Sequence, residues 1–297
     1  MTKWYKAFGL LIESEFPIAQ LQEQEPGEPD VRIVRADLSG LLPQQRRNPT
    51  QRSVYFRGLE QGQNFVTDGR MIQVDPFENY SESKMGLYLM GSGMGAIMIQ
   101  RGFMLLHGSC VTDGRHGILI TGDSGAGKST TAAEFLRRGW KLVTDDVTAV
   151  FDLEHTPMVQ SSYPSQKLWK DAMDRYEVHN DDVHSLYTAE DREKFGVSVN
   201  ESFHDGVCPL SMVVRLIPAD QSCSVQHIEG ITMVDQLLRN SYRGNFIAPE
   251  DRQRHFQRCV TLSTKVPMAI AIRENGKQCA DTIYELITKH LEERYHD

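Results

Sequence analysis

The 297-residue chain has no C-x-x-C pair, no apolar run of membrane length, no internal repeat and no excess of positive charge. Its five cysteines (Cys110, Cys208, Cys223, Cys259, Cys279) are odd in number and scattered. That pattern argues against zinc ligation and a disulfide framework, and for buried reduced thiols. The longest uncharged run, Met85 to Gln100, is shorter than the ~20 residues a membrane span needs, and reads as a buried helix. The N-terminal MTKWYKAFGLLIESEF closes a brief apolar stretch with acids, which is not the layout of a signal peptide. A net charge of -8 argues against nucleic acid as a partner. The expectation is a soluble cytoplasmic protein. Hydrophobic and charged contents of 40% and 24% are ordinary for a globular chain of one large domain or two small ones.

What the chain does have is concentrated in residues 117 to 146. Gly117 to Thr121 is a short apolar run of strand type. Gly122, Asp123, Ser124, Gly125, Ala126, Gly127, Lys128 and Ser129 then satisfy G-x-x-x-x-G-K-[ST], and Thr130 follows. Glycines at such spacing let backbone N–H groups curl around phosphate oxygens, and the helix that follows adds its positive end. Lys128 is placed to reach β- and γ-phosphates and the Ser129 hydroxyl to ligate Mg²⁺. Thr131 to Arg138 has helix composition, and Gly139 ends it. A glycine turn that merely joins strand to helix is the plain alternative, and the context on both sides disfavours it.

A second strand, from Lys141, ends in Asp145 and Asp146 only seventeen residues beyond Lys128. Lying beside the phosphate-loop strand, it would carry both acids toward the phosphates. One carboxylate could hold Mg²⁺ and the other accept a proton from an attacking hydroxyl. The alternative is a solvated strand end with an Asx turn.

These residues resemble the HPr serine kinase/phosphorylase family, whose loop reads GDSGxGKS and is followed by a helix, a glycine and a strand ending in a double Asp. Leu106-His107-Gly108 stands where the family has its His-Gly, and Glu134 lies six residues after the loop lysine, as in the family. The resemblance implies that Asp145 is the acid/base, that Lys128 and Ser129 serve phosphate and magnesium, and that His107 lies near the transferred phosphate. Asp146 and Glu134 are expected to order the metal. Two features depart. Thr130 stands where the family usually has an acid, and the downstream E-[IV]-R-G-x-G segment is missing. Ser161 to Trp169 (SSYPSQKLW) occupies its place and looks like the divergent branch that includes lasso-peptide kinases.

Elsewhere the chain has no chemical motif of comparable strength. Residues 1–80 alternate strand-like runs (Tyr5–Ile12, Val31–Ala36, Ser53–Arg57, Asn64–Thr67, Met71–Val74) with polar loops, one of which carries Arg46-Arg47 as a solvated pair. Glu82 to Gln100 is expected to be helical, with Gly91, Gly93 and Gly95 allowing close packing. Ser165–Met173 reads as the start of a helix, with Lys167 either a surface lysine or a cation for the transferring phosphoryl group. Tyr176 to Asp205 reads as a polar lid, in which His179, Asp181, Asp182 and His184 do not have helical metal-ligand spacing. Ile231–Tyr242, Pro249–Leu262 and Gln278–Arg294 are helical, and Arg239, Tyr242 and Arg243 could meet nucleotide or substrate.

The expected fold is α/β or α+β. It comprises a β-rich unit over 1–80 and a kinase core of HPr-kinase/PEP-carboxykinase-like type over 81–297. The expected activity is transfer of the γ-phosphate of ATP, with Mg²⁺, to a serine of a peptide or small protein. Family analogy selects a ribosomal lasso-type precursor peptide and implies a homo-oligomer. The alternatives are an HPr kinase/phosphorylase, a kinase for a small metabolite or sugar hydroxyl, and a nucleotide-binding regulator that transfers nothing.

Overall fold

A computed structural model describes residues 2–176, 183–189 and 192–295. The N-terminal unit is a six-stranded sheet. Its strands are β1 (Lys3–Ala7), β2 (Leu10–Ser14), β3 (Val31–Arg35), β4 (Ser53–Gly58), β5 (Gly62–Thr67) and β6 (Met71–Pro76), in the order β1-β2-β3-β6-β5-β4. The run expected as one strand over Tyr5–Ile12 is a hairpin. Phe8 (φ 54°) and Gly9 (φ 71°) both take positive φ, as a two-residue turn between twisted strands requires. A short helix α1 (Pro43–Arg47) precedes β4. Arg46, expected in solvent, is partly buried and donates to the Leu38 carbonyl (2.6 Å) and Gln63 Oε1.

Residues 82–100 are helical as expected, but in three pieces: α2 (Glu82–Tyr88), a π-helical turn over Leu89–Gly93, and α3 (Met94–Gln100). The glycines have a specific use. A Cβ on Gly91 would lie 3.1 Å from the Tyr242 hydroxyl, and one on Gly95 would lie 3.1 Å from a ring carbon of the same tyrosine. The bare backbone is the seat of an aromatic ring.

The second sheet is built from β7 (Met104–Thr112), β8 (Gly117–Gly122), then α4 (Lys128–Arg137), β9 (Lys141–Thr144), β10 (Val147–Phe151) and β11 (Met158–Gln160). After β12 (Ser165–Trp169), α5 (Lys170–Arg175), β13 (Val183–Ala189) and β14 (Arg192–Ser198), β15 (Val207–Ala219) and β16 (Ser224–Ile228) rejoin it. Helices α6 (Ile231–Arg239) and α7 (Arg252–Lys265), strand β17 (Met268–Glu274) and helix α8 (Ala280–Tyr295) complete the chain. The strand order is β11-β10-β7-β8-β15-β17-β16, with β9 on β7; β8, β15 and β17 run parallel.

The side-chain period of two sorts the core. Ile118, Ile120, Met212 and Val214 face α4 and α8, meeting Phe135, Ile283 and Ile287, while Leu119 and Val213 face α6 and α7, meeting Leu237 and Leu262. A central strand covered on both faces is therefore apolar at consecutive positions, as read at Gly117–Thr121. Removing any of these large side chains from water stabilises the fold by roughly 1.5–3 kcal/mol.

Two expectations change. Ser165–Trp169 is a strand, not a helix, because it pairs antiparallel with β14, and α5 begins only at Lys170. The stretch expected as a lid is largely the hairpin β13–β14 of this three-stranded sheet; His179, Asp181 and Asp182 lie outside the described residues, as does the side chain of His184. One core also runs through both sequence-defined units, joining Tyr5, Ile12 and Ile33 to Met85, Leu105 and Phe246. Among the described residues, no helix is long and apolar enough to cross a membrane.

Candidate active site

Strand β7 changes partners in its middle. Its first half, to His107, pairs with β10, and its second half, from Gly108, pairs with β8 on one side and β9 on the other. The phosphate-loop strand and the Asp-bearing strand were expected to be neighbours. They instead flank β7, and both run antiparallel to it, so their C-terminal ends arrive at the same level beside His107. The close approach requires Gly108, whose Cβ would lie 2.4 Å from the Ile120 carbonyl oxygen.

The loop after β8 has the phosphate-cradle backbone. Gly122, Gly125 and Gly127 take φ of 143°, 79° and 101°, values closed to most side chains. The first helical bond of α4 is Thr131 N–H to Gly127 O, at 2.8 Å, so the amides of Lys128, Ser129 and Thr130 have no intrahelical partner. Lys128 Nζ folds back to donate to the carbonyls of Gly122 (2.9 Å) and Asp123 (3.1 Å). Burial lowers its pKa, against the pull of Asp146 and Asp145. Asp123 reaches outward toward Arg215 at 3.4 Å. Ser124, Gly125, Gly127 and Thr130 line a cavity of about 410 Å³, while Ala126 is buried beneath it.

Both aspartates line that cavity, although successive extended residues point to opposite faces. The reason is the left-handed backbone of Asp146 (φ 73°), which turns the second carboxylate toward the first. Asp145, only 4% exposed, accepts from Ser109 Oγ at 2.6 Å and from the Lys167 amide at 2.7 Å, and lies 3.5 Å from Ser129 Oγ. Asp146 stands apart from Ser129. Its Oδ2 accepts from Lys167 Nζ at 2.6 Å, and its Oδ1 lies 3.3 Å from His107 Nδ1, which donates to the Asp146 carbonyl at 3.0 Å.

Burial would raise the Asp146 pKa, but Lys167 and His107 outweigh it and hold the carboxyl well below the usual range. Burial likewise opposes the Lys167 charge, yet Asp146 holds that ammonium well above the usual lysine value. His107 is pushed down by burial, against the carboxylates. Lys167 is thus no surface lysine; its side chain is 15% exposed.

Glu134 departs from expectation. Its side chain is 1% exposed and is held by Arg137 and Arg138 of its own helix, and it does not line the cavity. Hydrogen bonding from Arg137 lowers its pKa against burial. Six residues of helix beyond Lys128, nearly two turns, carry it away from the loop. Of the three residues named near the end of α6, Tyr242 comes close, its ring centroid 6.0 Å from that of His107, whereas Arg239 pairs with Asp235 on the surface. Arg243 lies over the Tyr242 and Phe246 rings, its guanidinium carbon 5.7 and 5.8 Å from their centroids.

Residues that sequence reasoning passed over also reach the site. Ser109 is one, with no more signal than a serine in a strand. Arg273, at the end of β17, is another: its Nε donates to the Ala126 carbonyl at 3.1 Å, and it lines the cavity with Lys277. Nothing in a lone arginine 145 residues from Lys128 marks it in the sequence.

The donor set fits Mg²⁺ that arrives with a phosphate chain. Such an ion takes one or two protein oxygens at ~2.1 Å and its remaining ligands from phosphate and water, so adjacent ligands stand ~3 Å apart. Ser129 Oγ and Asp145 Oδ1, at 3.5 Å, need little adjustment to meet that spacing.

Residues 101–188 match the HPr Serine kinase C-terminal domain. An HPr kinase/phosphorylase of Clostridium beijerinckii is 53% identical over 49 residues, 16% of each chain. One of Limosilactobacillus reuteri is 39% identical over 82 residues, 28% of this chain and 25% of that one. The match thus spans a quarter or less of these relatives. The Hpr(Ser) kinase/phosphatase of Coxiella burnetii superposes with a TM-score of 0.36 at 12% identity, covering 65% of this chain and 93% of the other. Residues 101–188 of this chain are thus similar to the HPr kinase/phosphorylase family.

Proposed function

We propose that this protein is an ATP- and Mg²⁺-dependent kinase that phosphorylates a serine hydroxyl of a small protein or peptide. The observation that carries the reading is the pair Asp145 and Asp146, both facing the cavity of the phosphate loop. A loop that only binds nucleotide has no need of two carboxylates brought to one wall by a left-handed backbone residue.

The free amides of residues 128–130 and the Lys128 ammonium hold the β- and γ-phosphates. Ser129 and Asp145 hold the Mg²⁺ side, the role their 3.5 Å separation supports. The metal, when bound, neutralises charge on the transferring group. The two acids thus exchange the roles that the resemblance implies: Asp146, the more exposed one and pinned between Lys167 and His107, faces the acceptor and takes its proton. Phosphoryl transfer passes through a loose transition state, so the hydroxyl proton leaves late and a weakly basic carboxylate suffices. Lys167 keeps that carboxylate ionised and adds positive charge at the rim of the cavity.

The printed names of the relatives favour HPr itself as acceptor. The strand Ser165–Trp169, standing where the family's arginine-and-glycine segment is expected, favours a second reading in which the acceptor is a ribosomal precursor peptide. Both are tested by incubating the protein with ATP, Mg²⁺ and either HPr or a serine-ended precursor peptide, followed by intact-mass spectrometry. The expected result is a gain of about 80 Da on one of them. ATP consumption with sugars and none with either acceptor would overturn the proposal.

A further inference from the structure

The three-stranded sheet carries a second lysine to the catalytic cavity besides Lys167. Along β12 the side-chain period of two sends Lys167 and Trp169 into that cavity. Gln166 and Leu168 go to the opposite face, where they line a separate groove with Ala133 and Arg137. Strand β14 pairs with β12 so that Lys194 stands opposite Trp169, and residues directly opposite share a face. Lys194 therefore enters the same cavity as Lys167 and lines it together with the phosphate loop and both aspartates. Its Nζ lies 5.3 Å from the centroid of the Trp169 ring, a cation-over-ring contact that steers the long side chain.

The charge of Lys194 is felt on both sides of the cavity. Burial is the main cause that lowers the Lys128 pKa, and Lys194 adds to it. At Asp146 the effect of burial is outweighed by Lys167 and His107, and Lys194 again adds to them. A cation that acts both on the lysine of the phosphate loop and on the carboxylate facing the acceptor stands beside the path of the transferring group. Phosphoryl transfer spreads negative charge over three equatorial oxygens, each stabilised by a preorganised cation or donor. Lys167 is committed to Asp146 at 2.6 Å. On the kinase reading above, we propose that Lys194 is a further catalytic residue, whose ammonium, steered by Trp169, grips an oxygen of the γ-phosphoryl group in the bound nucleotide and more strongly in the transition state. The serine oxygen forms the new bond to the γ-phosphorus as the bond to the β,γ-bridging oxygen breaks. ADP leaves with that electron pair, the hydroxyl proton passes to Asp146, and Lys194 keeps its own proton throughout.

The full chain is compared with Lys194→Met and Lys194→Arg in two ways. One is calorimetric titration, with Mg²⁺, of ADP and of β,γ-imido-ATP; the other is the single-turnover rate of serine phosphorylation. Lys194→Met is expected to weaken β,γ-imido-ATP by about 10-fold, as loss of one charge-assisted hydrogen bond does, and to leave ADP within about twofold. Its transfer rate at saturating ATP is expected to fall about 10²- to 10³-fold, as loss of one donor to a transition-state oxygen does. Lys194→Arg, which keeps a cation of similar reach, is expected to recover most of both losses. Lys194→Gln is expected to behave as Lys194→Met and replaces it if that variant fails to fold. Equal weakening of the two nucleotides, or a preference between them that Lys194→Met leaves unchanged, overturns the proposal. So does a transfer rate within about threefold of wild type. A wild-type chain that tells the two nucleotides apart through Lys194 and yet phosphorylates no acceptor would uphold the role of Lys194 in holding the γ-phosphoryl group and overturn the kinase reading instead.

Discussion

Asp146 carries strain that its neighbours must hold: a non-glycine residue at φ 73°, with each carboxylate oxygen directed at a cation or a histidine. Asp145, one residue earlier, is buried against Ser109. The two are therefore unequal, and their replacements should differ in kind. Asp145→Asn is expected to raise the Mg²⁺ concentration for half-maximal transfer by about 10- to 100-fold, as loss of a partner to a metal site does, measured by metal titration at saturating ATP. Glu134 belongs to a different account. It ties α4 to its own arginines, so Glu134→Gln should leave the Mg²⁺ titration unchanged and destabilise the protein by about 1–2 kcal/mol at pH 7, both arginines reaching solvent. Its folded pKa is depressed, so the stability it contributes is present above the unfolded value of about 4.3 and is lost as pH falls through the folded one. The difference between wild type and variant in chemical denaturation should accordingly narrow only below about pH 4.

At the scale of elements, the helix-to-π segment over residues 82–100 exists to seat Tyr242. Its ring lies against Gly91 and Gly95, and its main chain is held by a bond from Tyr242 N–H to the Leu105 carbonyl at 2.9 Å. Gly91→Ala with Gly95→Ala would gain helix propensity, ~1 kcal/mol for each glycine replaced, but each new methyl would lie 3.1 Å from Tyr242, an overpacking that typically costs about 1–3 kcal/mol apiece. The double variant is expected to melt lower, and to lose transfer activity as Tyr242 shifts against His107. An unchanged melting temperature would show that the ring can move.

Elements whose residues act at short spacing were readable in the sequence, and those defined by distant partners were not. The phosphate loop was legible because its glycines, lysine and serine act at fixed local spacing. The Asp145–Asp146 end was legible for the same reason. That the strand read over Gly102–Val111 lies between them was not, since pairing register leaves no mark in a run of apolar residues. Ser165–Trp169 misled because its only argument for being a strand is β14, nearly thirty residues on. Arg273 reaches the loop across the sheet, and Lys167 became a buried cation only once Asp146 stood beside it.

For the whole molecule, the core that joins Tyr5 and Ile33 to Leu105 and Phe246 implies that the N-terminal sheet is not a detachable unit. Residues 81–297 expressed alone would expose one side of that core and are expected to be insoluble or molten, whereas the full chain should unfold in one calorimetric transition. Two separated transitions would contradict a shared core. The catalytic reading concentrates on one carboxylate facing the acceptor. Its most direct test is the single-turnover rate of serine phosphorylation from pre-bound ATP in Asp146→Asn, with ATP affinity measured in parallel. A loss of about 10²- to 10⁴-fold in rate with affinity unchanged is the predicted result. A rate within about threefold of wild type, a barrier change of under ~1 kcal/mol, would contradict it.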